Sequence, residues 1–367
     1  MNSFIPVYKP DLNGNEKKYL NECIDSTWIS SKGVFIDKFE NEFCKFTKIN
    51  YSTTVSNGTV AIHLALKCLG ITKGDEVLVP TFTYIASVNP ILEVGAEPIF
   101  VDSREEDWQL DPVDLERKIT KKTKAIMVVH LYGHASPMDE IMEIAKKHNL
   151  KVIEDCAEAF GSKYNDQHVG NHGDISTFSF FGNKTITCGE GGMVSSNNKR
   201  LIESARILKS QGVSDTKQYW HDCIAYNYRM TNMQAAIGLA QIERAEKIIA
   251  KKRKIASWYK HELSNLPIKF HEELKGTFHS YWMVSILLNK PETRDLLRDY
   301  LKEGGVETRP FFFLVDDMPM YKKFKGEFPV AHSLSTRGIN LPSWPGLSVS
   351  DVQKISNLIR KYFISNI

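Results

Sequence analysis

Apolar residues fall in short, unbroken runs through the middle of the chain. Glu76-Val77-Leu78-Val79-Pro80, Pro98-Ile99-Phe100-Val101-Asp102, Ala125 to His130 and Lys151-Val152-Ile153-Glu154-Asp155 each read as a strand. Their β-branched content and lack of alternation are those of strands buried on both faces. Helical stretches lie between them. From Pro137 to His148, Met138, Ile141, Met142 and Ala145 share one face. Strand–helix alternation predicts a mainly parallel central sheet with helices on both faces, an α/β fold. Such sheets bind ligands at the carboxyl ends of their strands. Three marked segments fall at such ends: the turn after Tyr51–Val55, Asp155, and the segment carrying Lys184.

The pattern changes after about residue 230. Thr231 to Lys252 reads as one long helix with an Ala-rich face, and Thr231 as its N-cap. Ser280 to Leu288 and Gly305 to Phe313 read as strands. A last helix is expected from Ser350, where Ser350-Asp351-Val352-Gln353 has capping-box spacing. Residues 1–250 are therefore expected to form a large domain and 251–367 a smaller α+β domain. The N-terminal arm is expected to pack with the small one.

Charge narrows the choice of partners. The 47 basic and 44 acidic residues leave a net +3, too small to argue for nucleic acid. The six cysteines show no CxxC spacing, as in a reduced cytoplasmic protein. No signal-peptide pattern is read at Met1 to Pro6, and no apolar run reaches membrane-spanning length. His168 and His172 are four apart, but Gly170 between them speaks for a loop. No metal site is expected, and both histidines are read as solvent-facing.

Candidate chemistry begins at Lys184. The apolar run Phe178-Ser179-Phe180-Phe181 ends in Gly182-Asn183, which presents the lysine, and Gly189-Glu190-Gly191-Gly192 follows. An amine held in a dry setting loses its charge and attacks carbonyls. Ser56-Asn57-Gly58-Thr59 precedes a helical run from Val60 to Leu69. Free amides and the dipole at such an N-terminus suit a phosphate, although an ordinary N-cap has the same pattern. Asp155 ends a buried strand and needs a partner, whether a protonated ring nitrogen, a salt bridge or a following helix. Tyr84 follows another strand end and can cover an aromatic ring. Aldehyde for the lysine, ring nitrogen for the aspartate and phosphate for the helix end together point to pyridoxal 5'-phosphate.

These segments carry a resemblance over essentially the whole chain. Ser56–Thr59, Val79 to Tyr84, His130-Leu131-Tyr132-Gly133, Ile153–Asp155, Phe178–Phe180 with Lys184, and Asn227-Tyr228-Arg229-Met230 resemble the sugar aminotransferases that act on nucleotide-linked keto sugars. That family has the fold type I, aspartate aminotransferase-like architecture. Further stretches are similar to members using a GDP-linked 4-keto sugar: Tyr219 to Asp222, Gly276 to Trp282, Arg309 to Phe312, and Gly338 to Gly346.

The resemblance implies roles. Lys184 would bond the cofactor aldehyde, and Asp155 would pair with the ring nitrogen. Gly58, Thr59 and Ser179 would hold the phosphate, and Tyr84 would stack on the ring. Asn227 would reach the phosphate of a second copy, which implies a homodimer with shared sites. L-Glutamate would supply the amino group, and C4 of GDP-4-keto-6-deoxy-D-mannose would receive it. Arg309 is the candidate for the diphosphate, with Glu307 as its competing partner, and His279 and Tyr281 are expected at the substrate. Two positions depart from the commoner pattern: Glu158, where Gln or His is usual near the cofactor's phenolic oxygen, and His134, where Gln is usual. An ionised Glu158 would repel that oxygen, so it is either protonated or turned away. Amination at C3, another nucleotide, a 3-dehydratase and a non-enzymic scaffold are the alternatives. The dehydratases carry His in place of the lysine, so Lys184 speaks against them.

Overall fold

The computed structural model describes residues 4–365. Met1 to Ser3, where the N-terminal segment begins, lie outside the described residues. Seven strands form the central sheet in the order Tyr51–Val55, Gly192–Ser196, Ile175–Ser179, Lys151–Asp155, Thr123–Val129, Glu76–Pro80, Glu97–Val101. Only Gly192–Ser196 runs against the rest. The expected mainly parallel sheet, covered on both faces, is thus present. Glu76–Pro80 is buried at every position, which explains its unbroken apolar run.

A second sheet gathers the C-terminal strands in the order Ile268–Phe270, Val284–Leu288, Gly338–Leu341, Arg309–Pro310, all antiparallel. The helix Ala245–Glu262 leads from the first sheet to the second. We propose residues 1–250 and 251–367 as the two units on this arrangement.

Several boundaries differ from expectation. The helix expected over Thr231 to Lys252 is two, Asn232–Ile242 and Ala245–Glu262. Thr231 does cap the first, in a reciprocal box with Gln234. The break between them is stitched to an earlier segment. Arg244 donates to Asp11 at 2.8 Å, Gln241 to the Asp11 carbonyl at 2.7 Å, and Glu243 accepts from Tyr19 at 2.7 Å. The last helix is Val349–Ser365. Its box is Ser348 with Asp351, whose carboxylate takes the Ser348 N–H at 3.0 Å.

The strand expected from Ser280 starts at Val284, and that expected over Gly305 to Phe313 shrinks to Arg309–Pro310. Val306 pairs with Ile5 of the N-terminal arm instead. His168 and His172 are half-buried, not solvent-facing. His168 packs on Phe46, and burial lowers its pKa to about 4.

One of the contacts that join the central sheet's loops to the C-terminal segment is unusually close. Tyr132 and Gly133 both have positive φ, 55° and 98°. A Cβ on Gly133 would lie 2.7 Å from the Trp282 nitrogen and 2.9 Å from the Tyr281 nitrogen. Only glycine permits that approach without strain. Gly133→Ala is therefore expected to destabilise the protein by about 2–4 kcal/mol, read as a lower urea midpoint.

Candidate active site

A cavity of about 590 Å³ opens where the strand ends meet Trp282 and Phe312. Gly58, Thr59, Tyr84, Asp155, Glu158, Ser179 and Lys184 all line it.

The phosphate side is built by the helix Gly58–Cys68. Asn57 caps it, accepting from Val60 N–H at 3.0 Å. The first two amides, of Gly58 and Thr59, have no partner within a helix and border the cavity. A Cβ on Gly58 would stand 2.8 Å from the Ser179 Cβ, so the helix end and the serine can approach only because residue 58 is glycine.

Asp155 closes the Lys151–Asp155 strand and is buried. One carboxylate oxygen takes the Ser87 hydroxyl at 2.7 Å and the other the Ala157 N–H at 3.0 Å. Burial raises its pKa, against the pull of those donors and of Lys184. The residue before it is anchored harder. Glu154 accepts N–H bonds from Gly170 at 2.7 Å, His172 at 2.8 Å and Gly173 at 2.6 Å, and His130 Nε2 lies 3.0 Å away. Ser136 donates its N–H to His130 Nδ1 at 3.0 Å, so the ring's proton is on Nε2 and points at Glu154. Burial alone would raise the Glu154 pKa, but His130 and these amides bring it below the ordinary value.

Lys184 lies in the turn after the Ile175–Ser179 strand, partly exposed toward the cavity. Its amine stands 4.2 Å from the Trp282 ring centre. Desolvation lowers its pKa, while Glu158 and Asp155 oppose the shift. Glu158 is buried, and Tyr132 donates its N–H to one carboxylate oxygen at 2.8 Å. Desolvation lifts its pKa from 4.5 to about 7, Lys184 and the Tyr132 amide resisting and Asp155 adding to the rise. Tyr84 is 57% exposed and free to cover a flat ligand, with Phe312 5.7 Å away between ring centres.

The cavity fits pyridoxal phosphate on its own chemistry. It offers an amine of lowered basicity, a buried carboxylate seeking a cation, and a capped helix end narrowed by glycine. The Asn183 side-chain oxygen, buried at the wall, has no hydrogen-bond partner among the described residues and is open to a ligand.

Five residues singled out in the sequence lie outside this chain's cavity lining. Arg309 pairs with Glu307 at 2.7 Å and does not line the cavity. His279 is fully buried, its ring parallel to Tyr281 at 3.8 Å and its Nε2 3.4 Å from His271. His279 and Tyr281 are thus buried against each other and do not line the cavity. Asn227 is exposed, away from this chain's own cavity. His134 is buried under His271, its Nδ1–H bonded to the Ala135 carbonyl at 2.7 Å, and is likewise not a lining residue.

The sequence reading did not single out Ser87, Trp282, Phe312 or Glu190, which line the cavity. Ser87 sits in a short turn with no motif. Trp282 and Phe312 come from the other sheet, and only the fold brings them here.

Fold and cavity together define a class: this is a pyridoxal phosphate-dependent transaminase of fold type I. Residues 10–360 match the DegT/DnrJ/EryC1/StrS aminotransferase family, and the chain belongs to it. It is 58% identical to GDP-perosamine synthase of Escherichia coli O157:H7 over 360 residues, covering 98% of this chain and 99% of that one. It is 55% identical to GDP-perosamine synthase of Vibrio cholerae, covering 98% and 99%. Among solved structures, DesV of S. venezuelae in complex with a ketimine intermediate superposes with TM-score 0.92 at 30% identity, covering 98% of both chains.

Glu158 generates a pH test. Its folded pKa exceeds its ordinary value, so the folded chain keeps a proton that the unfolded chain has lost. Stability from this group is full below about pH 4.5 and falls as pH rises to about 7. Glu158→Gln removes that loss. Relative to the parent it should gain little at pH 4.5 and up to about 3 kcal/mol above pH 7, measured by urea unfolding across the range.

Proposed function

We propose that this chain transfers the amino group of L-glutamate to C4 of GDP-4-keto-6-deoxy-D-mannose, giving GDP-perosamine. The single observation that carries the substrate is the 58% identity, over nearly both full lengths, to a GDP-perosamine synthase. The chemistry is supported by the cavity that holds Lys184 with Asp155 and Glu158.

Pyridoxal phosphate, when bound, supplies an aldehyde and an electron-withdrawing ring. The chain's own residues do the rest. Lys184, with its basicity lowered, is the residue that would hold the aldehyde, and its amine would be the base that moves a proton at the substrate carbon. Asp155, fixed by Ser87 and Ala157, keeps the ring nitrogen protonated. Glu158 in its neutral form would donate to a phenolic oxygen and would not repel it. Gly58, Thr59 and Ser179 hold the phosphate, and Tyr84 covers the ring face. Glutamate and the keto sugar take turns in one cavity, which is ping-pong kinetics.

Asn227 acts from a second copy in a homodimer. Supporting this, Trp28, Tyr219, Trp220 and Ile224 are 56%, 89%, 51% and 95% exposed, apolar surface that a lone chain leaves in water. All six cysteines are free thiols, which agrees with a cytoplasmic site of action. Among the described residues no helix is long and apolar enough to cross a membrane.

Purified enzyme should absorb at about 390–430 nm. Lys184→Ala should lose that band and turnover by at least about a thousandfold. With glutamate and a panel of GDP-, UDP- and dTDP-linked keto sugars, mass and NMR should find GDP-perosamine as the main product. A 3-amino or 3-deoxy product, or preference for another nucleotide, would overturn the substrate assignment.

A further inference from the structure

Residues Ile5 to Tyr8 form an extended arm laid across the C-terminal sheet. Ile5 N–H donates to the Gly305 carbonyl, and Glu307 N–H returns a bond to the Ile5 carbonyl, both at 2.9 Å. Trp344 donates its indole N–H to the Pro6 carbonyl at 3.2 Å. Val7 N–H donates to the Glu307 carboxylate at 3.1 Å, and Ser343 N–H to the Val7 carbonyl at 3.3 Å. Arg309 completes this clamp by holding the other Glu307 oxygen at 2.7 Å.

The arm ends on the active-site turn. Tyr8 donates its hydroxyl to the main-chain carbonyl of Lys184 itself. The preceding carbonyl, of Asn183, accepts the Trp282 indole N–H at 2.7 Å. Two successive carbonyls of the lysine turn are thus held by side chains from outside the central sheet. Under the Tyr8 ring lies Lys252, fully buried, its amine bonded to the Ser343 carbonyl at 2.7 Å and 5.2 Å from the ring centre. The tyrosine is therefore held from several sides: the backbone before it by the clamp, its face by Lys252, its hydroxyl by the Lys184 carbonyl.

We propose that Tyr8 is a positioning residue for the transamination, a strap that fixes the main chain of Lys184 and so aims its amine. This rests on the reading of Lys184 as the reacting amine. The physical case is orientation. A lysine side chain is long and flexible, and the Trp282 ring confines only its tip. Without a fixed Cα the amine samples positions on both sides of its target. Small misplacements of a reacting group cost rate more than binding. The Tyr8 hydroxyl bonds the Lys184 carbonyl, and Tyr8 does not line the cavity, so it acts through the lysine and not on the substrate.

The test is Tyr8→Phe in the holoenzyme, which removes one hydroxyl and leaves the ring packed. kcat should fall about tenfold, with KM for glutamate and for the keto sugar within about twofold of the parent. Borohydride should fix the cofactor to Lys184 more slowly by a similar factor, read as loss of the visible band. Thermal midpoint should stay near the parent's. Lys252→Met, which loosens the ring's seat, should move kcat and fixation in the same direction. Unchanged kcat and fixation in Tyr8→Phe, or a change confined to KM, overturns the proposal. The two readings fail separately. If Lys184→Ala keeps the visible band, the lysine assignment is wrong. If it loses the band while Tyr8→Phe behaves as the parent, only the strap is wrong.

Discussion

The site depends on burying two carboxylates and an amine at one end of a sheet. Each group alone is costly there, since water no longer screens it. Together they offset one another only in part. Asp155 and Glu158 are pushed toward their neutral forms and Lys184 toward its own. On the proposed reading, a flat ring with a protonated nitrogen and a phosphate would resolve this tension. A ring N–H beside Asp155 would restore a charge pair, and an aldehyde at Lys184 would consume the amine.

The surrounding structure holds those groups in place against that tension. Glu154 spends its whole carboxylate on three backbone amides and the His130 ring, fixing the strand one residue before Asp155. The same His130 leads into Tyr132 and Gly133, whose left-handed backbone points the Tyr132 amide at Glu158 and lets Trp282 close in over Lys184. One loop therefore serves both carboxylates and the seam between the sheets.

Much of this was legible because it is local. Strand ends carry Asp155, Ser179 and Lys184, and a capped helix start carries Gly58 and Thr59; period, turn residues and cap chemistry reveal such features in a sequence. Arg309, His279 and Tyr281 do not line this chain's cavity. Glu307 is only two residues from Arg309 and was already its competing partner, whereas His134, far upstream, borders His279 only in the fold. The two-helix break at Glu243 and Arg244 follows likewise from Asp11 and Tyr19, far upstream. Glu158 falls between: its identity was notable in sequence, but its ionisation required the Tyr132 amide and the depth of burial.

The arm has a consequence for how the protein is made. Val7 and its partner Glu307 are 300 residues apart, and Ser343 and Trp344 come later still. During synthesis the large sheet can assemble while the arm's dock is still inside the ribosome. Tyr8 cannot then reach the Lys184 carbonyl in its final register. The nascent chain thus carries an untethered lysine, and the tethered one arises only when the C-terminal strands have emerged. Closing an early segment onto a late one makes emergence of the C-terminal strands the step that organises the amine.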